Sequence, residues 1–381
     1  MSKMKKLAIS FWGFVVILFV LLQSCMWYDT FDVTGLTFYN NEPIKEIFLN
    51  DKRIYVITEE GKGYVAGGYS TSKDRKYRNS ESCVNRETGI LSPVLFFDGH
   101  ISKIFPSNYG KIMFLDDKGV LYELNELEAN KICDNAFFAS KSFTMDNIYV
   151  VDNSGKLFLY GEVVQHLASN VKAVRAYRDR VFVLSNDNCI YELSNGTYSE
   201  PIFSDVKSFD VIDTSHSIFN GETVISNDKW TMENPLFNVL TNDGTLYAKG
   251  SYNLIYRGYT NTNHHLPYVL DEWTVIGEKV SDFSLAGMGT LMLFEDSTCK
   301  YLGFDTTFEE GSMVSTRVFA DADVKSISAT NCVVCYKTKE GFCFLGGIFE
   351  MLFDTCNESN RICENHHILS GEALFLTETL E

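Results

Sequence analysis

The chain has 381 residues, 45% of them hydrophobic, 22% charged and only 6 of them Pro, so it has ample core material and is neither disordered nor collagen-like. Phe (29), Tyr (20) and Gly (26) are abundant, which favours strands joined by tight turns. With 50 acidic against 33 basic residues the formal charge is -17, the wrong sign for coating nucleic acid or an anionic membrane.

Residues 1–24 read as an address. Lys3, Lys5 and Lys6 precede an apolar run from Leu7 to Leu22, and Gln23, Ser24 and Cys25 follow at once. The pattern of Leu22, Ser24 and Cys25 resembles the bacterial lipoprotein signal, in which cleavage before the cysteine leaves it to carry lipid. The run is short for a span that needs about twenty residues, although an uncleaved single-pass anchor is the alternative. Either reading places the body outside the cytoplasm, tethered by 25–34. Losing 1–24 removes three lysines and no acid, so the mature chain is more acidic still.

From Gly35 onward one string recurs: an apolar pair, a small or acidic cluster ending in an anchor, an alternating strand, then a second small residue. The anchors are Gly61, Gly119, Gly155, Asn188, Gly244, Ser297 and Gly341, and six residues beyond each stand Gly67, Asn125, Gly161, Ser194, Gly250, Gly303 and Gly347. Gly and Asn tolerate positive φ, so each anchor predicts the turn of a hairpin. Upstream of the hairpin lies a strand of the form Val-Lys-x-Ile, at Ile44–Ile47, Ile101–Ile104, Val171–Val174, Val206–Phe209, Val280–Phe283 and Val324–Ile327, degraded in the third copy around Phe137 and Phe138. Short strands repeating every 33 to 58 residues predict the blades of a propeller. Gly35, Phe38 and Asn41 repeat the second half of the hairpin, and Leu374–Thr377 repeat the first. Seven internal copies and one split copy therefore predict an all-β propeller over 35–381 with eight blades, seven being the alternative, closed by pairing of the N- and C-terminal strands.

These strings resemble the regulator of chromosome condensation repeat family, most clearly over Val239–Gly250, Asp152–Gly161 and around Val171 and Val324. Pro93, Pro201 and Pro267 in the linkers fit the family, whereas its Gly-x-x-His is missing. The resemblance implies the β-propeller fold. Family members that act on small GTPases or chromatin are nuclear or cytosolic, so an acidic exported body is not expected to share those roles.

Three insertions interrupt the repeat. Tyr69–Ser92 holds a basic island, Lys73, Arg75, Lys76 and Arg78 around Tyr77; Ile212–Phe237 holds Ile218, Phe219, Trp230 and Met232; Ile348–His367 holds Phe349, Met351 and Phe353. Loops on a rigid ring vary without disturbing the core, so Arg75, Lys76, Tyr77, Arg78, Trp230 and Met232 are the candidate partner-binding residues. Cys356 and Cys363 flank a polar loop that a disulfide would close in an oxidising compartment. Cys332 and Cys335 have redox spacing, but alternation sends them to opposite faces and they read as core. His264–His265 and His366–His367 read as solvated loop residues. No nucleophile elbow or phosphate loop appears, so the expectation is a non-enzymatic protein-binding module without metal or cofactor, its rivals being a glycan- or ligand-binding propeller and an extracytoplasmic enzyme.

Overall fold

In the computed structural model the described residues are 36–38, 43–50, 53–67, 84–85, 90–91, 94–106, 112–125, 127–142, 147–212, 235–252, 255–257, 263–265, 268–286, 289–303, 315–320, 323–329, 333–339, 341–346 and 373–377. The chain divides into two compact units, Met1–Thr34 and Gly35–Glu381, and the strands belong to the second. Strand β1 is Leu36–Phe38. The first blade comprises β2 (Ile44–Asn50), β3 (Arg53–Thr58), β4 (Gly63–Gly67) and β7 (Val94–Phe97), with β5 (Val84–Asn85) and β6 (Ile90–Leu91) between β4 and β7 in sequence. The second is β8 (Ile101–Pro106), β9 (Ile112–Asp116), β10 (Leu121–Asn125) and β11 (Glu128–Cys133); the third is β12 (Ala136–Lys141), β13 (Ile148–Asp152), β14 (Leu157–Tyr160) and β15 (Gln165–Ala168). The fourth is β16 (Val171–Tyr177), β17 (Arg180–Ser185), β18 (Ile190–Ser194) and β19 (Thr197–Tyr198). In the fifth, β20 (Val206–Ile212), β21 (Leu236–Thr241) and β22 (Leu246–Tyr252) pair with β25 (Tyr268–Gly277), and a ribbon of β23 (Ile255–Arg257) and β24 (Asn263–His265) intervenes. The sixth is β26 (Val280–Ala286), β27 (Gly289–Phe294), β28 (Cys299–Gly303) and β29 (Ser315–Ala320). Finally, β30 (Ser326–Ala329), β31 (Val333–Thr338), β32 (Gly341–Gly346) and β33 (Ala373–Thr377) form one sheet that continues through β1, β6 and β5.

The protein is thus an all-β propeller, and among the described residues it has six four-stranded blades and one seven-stranded sheet, not the seven or eight blades expected. The terminal strands do pair, Leu36 opposite Leu376, but in parallel and within the sheet of the seventh repeat, so the described residues form no eighth blade. Residues 373–377 serve as the outer strand next to β32 rather than as the second strand of a further blade, because β32 would otherwise be left with an open edge. The degraded third copy nevertheless makes a full blade with β12 as its first strand.

Six of the seven anchors do what their chemistry predicts, while Gly341 opens β32 opposite Thr338 and is not among the positive-φ residues. Gly61, Gly119, Gly155, Asn188, Gly244 and Ser297 all have positive φ, between 63° and 84°. The anchor N–H closes its own turn, as from Gly155 to the Asp152 carbonyl at 3.0 Å, and the anchor carbonyl accepts the first N–H of the next blade. Ile101 bonds to Gly61, Ala136 to Gly119, Val171 to Gly155, Val206 to Asn188, Val280 to Gly244 and Val324 to Ser297, all at 2.8–3.0 Å. A second positive-φ position precedes the first strand, at Asn135, Asn170, Asp205, Lys279 and Asp323.

The apolar core fills the seams between sheets. One cluster joins Phe105, Met113 and Leu121 of the second blade to Val150 and Val151 of the third and to Val174 and Val183 of the fourth. Another packs Phe182 of the fourth edge-on against Phe237 of the fifth, with centroids 4.9 Å apart. Burying such a ring contributes about 1.5–3 kcal/mol. Polar links cross the seams as well: Ala176 N–H donates to Ser140 Oγ, Ala329 N–H to Ser284 Oγ and Leu49 N–H to Ser328 Oγ, each at 2.9 Å. The last of these joins the first blade to the sheet of the seventh repeat, and Lys337 Nζ reinforces it by donating to the Ile44 carbonyl at 3.1 Å.

Candidate functional site

The first strand of every blade lies innermost, since β12 contacts β16, β16 contacts β20, β20 contacts β26, β26 contacts β30 and β30 contacts β2. In β2, β8, β12, β16, β20 and β26 the pairing register shifts between the first residue and the third, a bulge that re-aims the side chains there. The third position is the variable x of Val-Lys-x-Ile. It holds Glu46, Lys103, Phe138, Ala173, Ser208 and Asp282, and side chains from non-adjacent blades meet through it.

That central space has two chemically distinct walls. On one, the Lys103 ammonium lies 4.4 Å from the centroid of Phe138, 5.2 Å from Phe105 and 5.6 Å from Phe137. The Arg175 guanidinium approaches the same Phe138 ring at 4.8 Å, while its Nε donates to Asp210 Oδ1 at 2.6 Å. Burial, and then the Arg175 charge, push the Lys103 ammonium down to about 8. On the other wall burial pushes the Glu46 carboxyl up, opposed by Lys45 and reinforced by Asp282, and burial likewise raises Asp282. None of these residues was a candidate from sequence. The signal was present nonetheless: the third position of the repeated motif changes the sign of its charge from copy to copy, from Glu46 and Asp282 to Lys103, and such a position is one the fold does not need.

The rim is asymmetric as well. In an up-and-down blade, the connections from first to second strand and from third to fourth leave by one side, and the remaining connections by the other. On the anchor side every connection is short, the longest being 199–205. The strands that border 68–93, 213–235, 253–267, 304–314 and 347–372 end on the opposite side, and they belong to the first, fifth and sixth blades and the seventh-repeat sheet. The second, third and fourth blades have short connections on both sides, where Val163 stands 79% exposed in the turn after β14.

The sequence candidates Arg75, Lys76, Tyr77, Arg78, Trp230 and Met232 lie outside the described residues, as do Cys25, Cys356, Cys363, Cys332, His366 and His367. Phe237, assigned to an insertion from sequence, is buried in β21. His264 and His265, read as loop residues, stand in β24 opposite Tyr256 and Ile255, because the connection before β25 forms its own ribbon. Cys299 and Cys335 are buried, and burial pushes the Cys299 thiol up to about 12. Among the described residues no group of three or more His, Cys, Asp or Glu is placed to hold a metal, and no helix is long and apolar enough to cross a membrane.

The sequence matches no family model and shows no significant similarity to a curated protein. Similar solved structures include Prp20p from Saccharomyces cerevisiae, described with its binding to Gsp1p and histones, at 13% identity over 75% of this chain and 80% of that one with a TM-score of 0.47. Human WBSCR16 is 12% identical over 67% of this chain and 78% of that one, with a TM-score of 0.45. BamB from Moraxella catarrhalis is 10% identical over 79% and 82%, with a TM-score of 0.40.

Proposed function

We propose that this protein is an exported, lipid-anchored β-propeller that binds another protein rather than catalysing a reaction, and that the side carrying the long connections is its binding face. The observation that supports the reading is the segregation of length: 68–93, 213–235, 253–267, 304–314 and 347–372 all leave the blades on one side. These connections include Arg75, Lys76, Tyr77, Arg78, Trp230 and Met232, and aromatic and Arg side chains are the types that most often anchor interfaces. A rigid ring that holds such segments loses little entropy on association. In this reading the seven-stranded sheet is the seventh unit of a closed ring, and Cys25, freed by removal of 1–24, carries the lipid.

The test is site-specific photocrosslinking in intact envelope. A photoreactive residue at Trp230 or Tyr77 should give one discrete adduct, and the same residue at Asn153 or Lys118 on the anchor side should give none. Equal labelling from both sides would reject the face. Mass spectrometry of the mature N-terminus tests the anchor, and an intact chain beginning at Met1 would reject it.

A further inference from the structure

The outer strand of the fifth blade departs from the others. Ala248 pairs with Thr274 and Gly250 with Leu270, so three residues, Asp271–Trp273, stand opposite the single Lys249. That is the second irregularity in this pairing, whereas the outer strands of the other sheets carry one or none. A bulge re-aims the side chains it contains. This one brings Trp273 to the seam with the fourth blade, where the indole meets Phe203 edge-on at 4.8 Å and Phe237 at 5.9 Å. Beside it the seam opens into a cavity of about 320 Å³. Phe182, Phe237 and Leu270 in its lining are buried, and Trp273 is half-buried. The remaining lining is charged. Arg180 grips Glu192 with two prongs, Nε to Oε1 at 2.7 Å and Nη2 to Oε2 at 2.8 Å, and the Lys249 ammonium lies 5.9 Å from the Trp273 centroid. Asp271 is the fourth charge, and among the described residues neither it nor Lys249 belongs to an ion pair.

This composition selects a ligand. Two cations and two carboxylates line the cavity, so neither a cationic nor an anionic ligand is favoured. A wholly apolar ligand would take Lys249 and Asp271 out of water with nothing to bond, which costs free energy. A neutral molecule satisfies the lining if hydroxyls on its edge both donate and accept while polarised C–H bonds on its face meet the negative face of an indole. We infer that Trp273, Lys249, Asp271 and the Arg180–Glu192 pair form a binding site for a neutral hexopyranose unit, with its C–H face on Trp273 and its hydroxyls on the charged side chains. The cavity lies at the small end of ligand pockets, which run from about 300 to 1,000 Å³, and so suits a short saccharide. It opens among the starts of β17, β21 and β25, on the side of the long connections, and does not require the protein partner proposed there.

The experiment is saturation-transfer NMR on the full-length chain in a detergent without a sugar headgroup, with the methyl glycosides of glucose, galactose and mannose as probes. At least one should bind with a roughly millimolar Kd, with the strongest transfer to its ring C–H protons, and the corresponding uronide and amino sugar should bind at least severalfold more weakly. Trp273→Ala should weaken the neutral glycoside at least tenfold, and Trp273→Phe, which keeps a ring, less. Asp271→Asn leaves the lining net positive and should shift preference toward the uronide; Lys249→Met should shift it toward the amino sugar. Asn153→Ala, in an anchor turn of the third blade, should change none of these. A disaccharide that binds more tightly than its single unit identifies a glycan chain as the source, whereas equal binding identifies a free sugar. Absence of transfer to all three glycosides, undiminished binding in a folded Trp273→Ala, or a uronide or amino sugar bound as tightly as the neutral glycoside would overturn the site. Tighter binding of an acetylated and amidated tripeptide at the same side chains would overturn it in favour of a peptide pocket. Crosslinking from Trp230 and Tyr77 is read independently, so failure of either reading leaves the other standing.

Discussion

The second, third and fourth blades and the rest of the propeller are built from the same repeat, yet they differ in what is added to it. The former have short connections on both sides and supply the basic and aromatic wall, Lys103, Phe138 and Arg175. The latter carry the long connections and supply the acidic wall, Glu46 and Asp282. Both regions keep the same seam, in which the anchor carbonyl takes the first N–H of the next blade, at Gly119 and Gly155 as at Gly244 and Ser297. Positions that repeat therefore hold the ring together, and positions that vary are left available for recognition.

That division is testable by substitution. The largest effect is expected at Phe182→Ala, which empties a fully buried site at the seam of the fourth and fifth blades and should cost about 3–5 kcal/mol in urea unfolding. Gly155→Val forces a β-branched side chain into φ +77° with its Cβ 3.3 Å from the Val171 carbonyl oxygen, and should cost about 1–3 kcal/mol. Ser328→Ala leaves the buried Leu49 amide without its acceptor and should cost about 1–3 kcal/mol, read by faster hydrogen exchange at Leu49 than at Ala139. If Ser328→Ala is silent, the first blade is held to the seventh-repeat sheet by packing alone.

The smallest effect is expected at Lys103→Met. A lysine held low in the folded protein binds its proton less tightly there than in the unfolded chain, so wild-type stability should rise with pH between about 8 and the ordinary lysine value of 10.5. Below that window the variant should be the more stable protein, and across it the difference should shrink. A difference that stays constant with pH would show that Lys103 is well solvated.

Much of this fold was legible in the sequence because its most repeated element is also its most constrained. The anchors require positive φ, so Gly and Asn mark them, and Ser297 was recoverable from spacing alone. The second positive-φ site was missed, although Asn135, Asn170 and Asp205 carry a similar mark one residue before the inner strand. The count of blades failed for a different reason. Alternation identifies Leu374–Thr377 as strand but is the same for the second and the outer strand of a blade, so pattern matching could not tell one from the other. The channel wall escaped because Lys103 and Phe138 look idiosyncratic beside a repeat, and only the fold brings them to one ring centroid.

The anchor carbonyl also determines where this chain can be cut. A blade is not a self-contained cassette, because its first amide is fastened to the turn of the blade before it. Moving the termini to Lys118, within such a turn, would release the Gly119 carbonyl from its fixed geometry and loosen two blades at once. Moving them to Val163, in the short turn between β14 and β15, severs no anchor bond between blades. A circular permutant opened at Val163 should keep its cooperative melt, and one opened at Lys118 should not, so the modular unit runs from anchor to anchor and is out of phase with the blades.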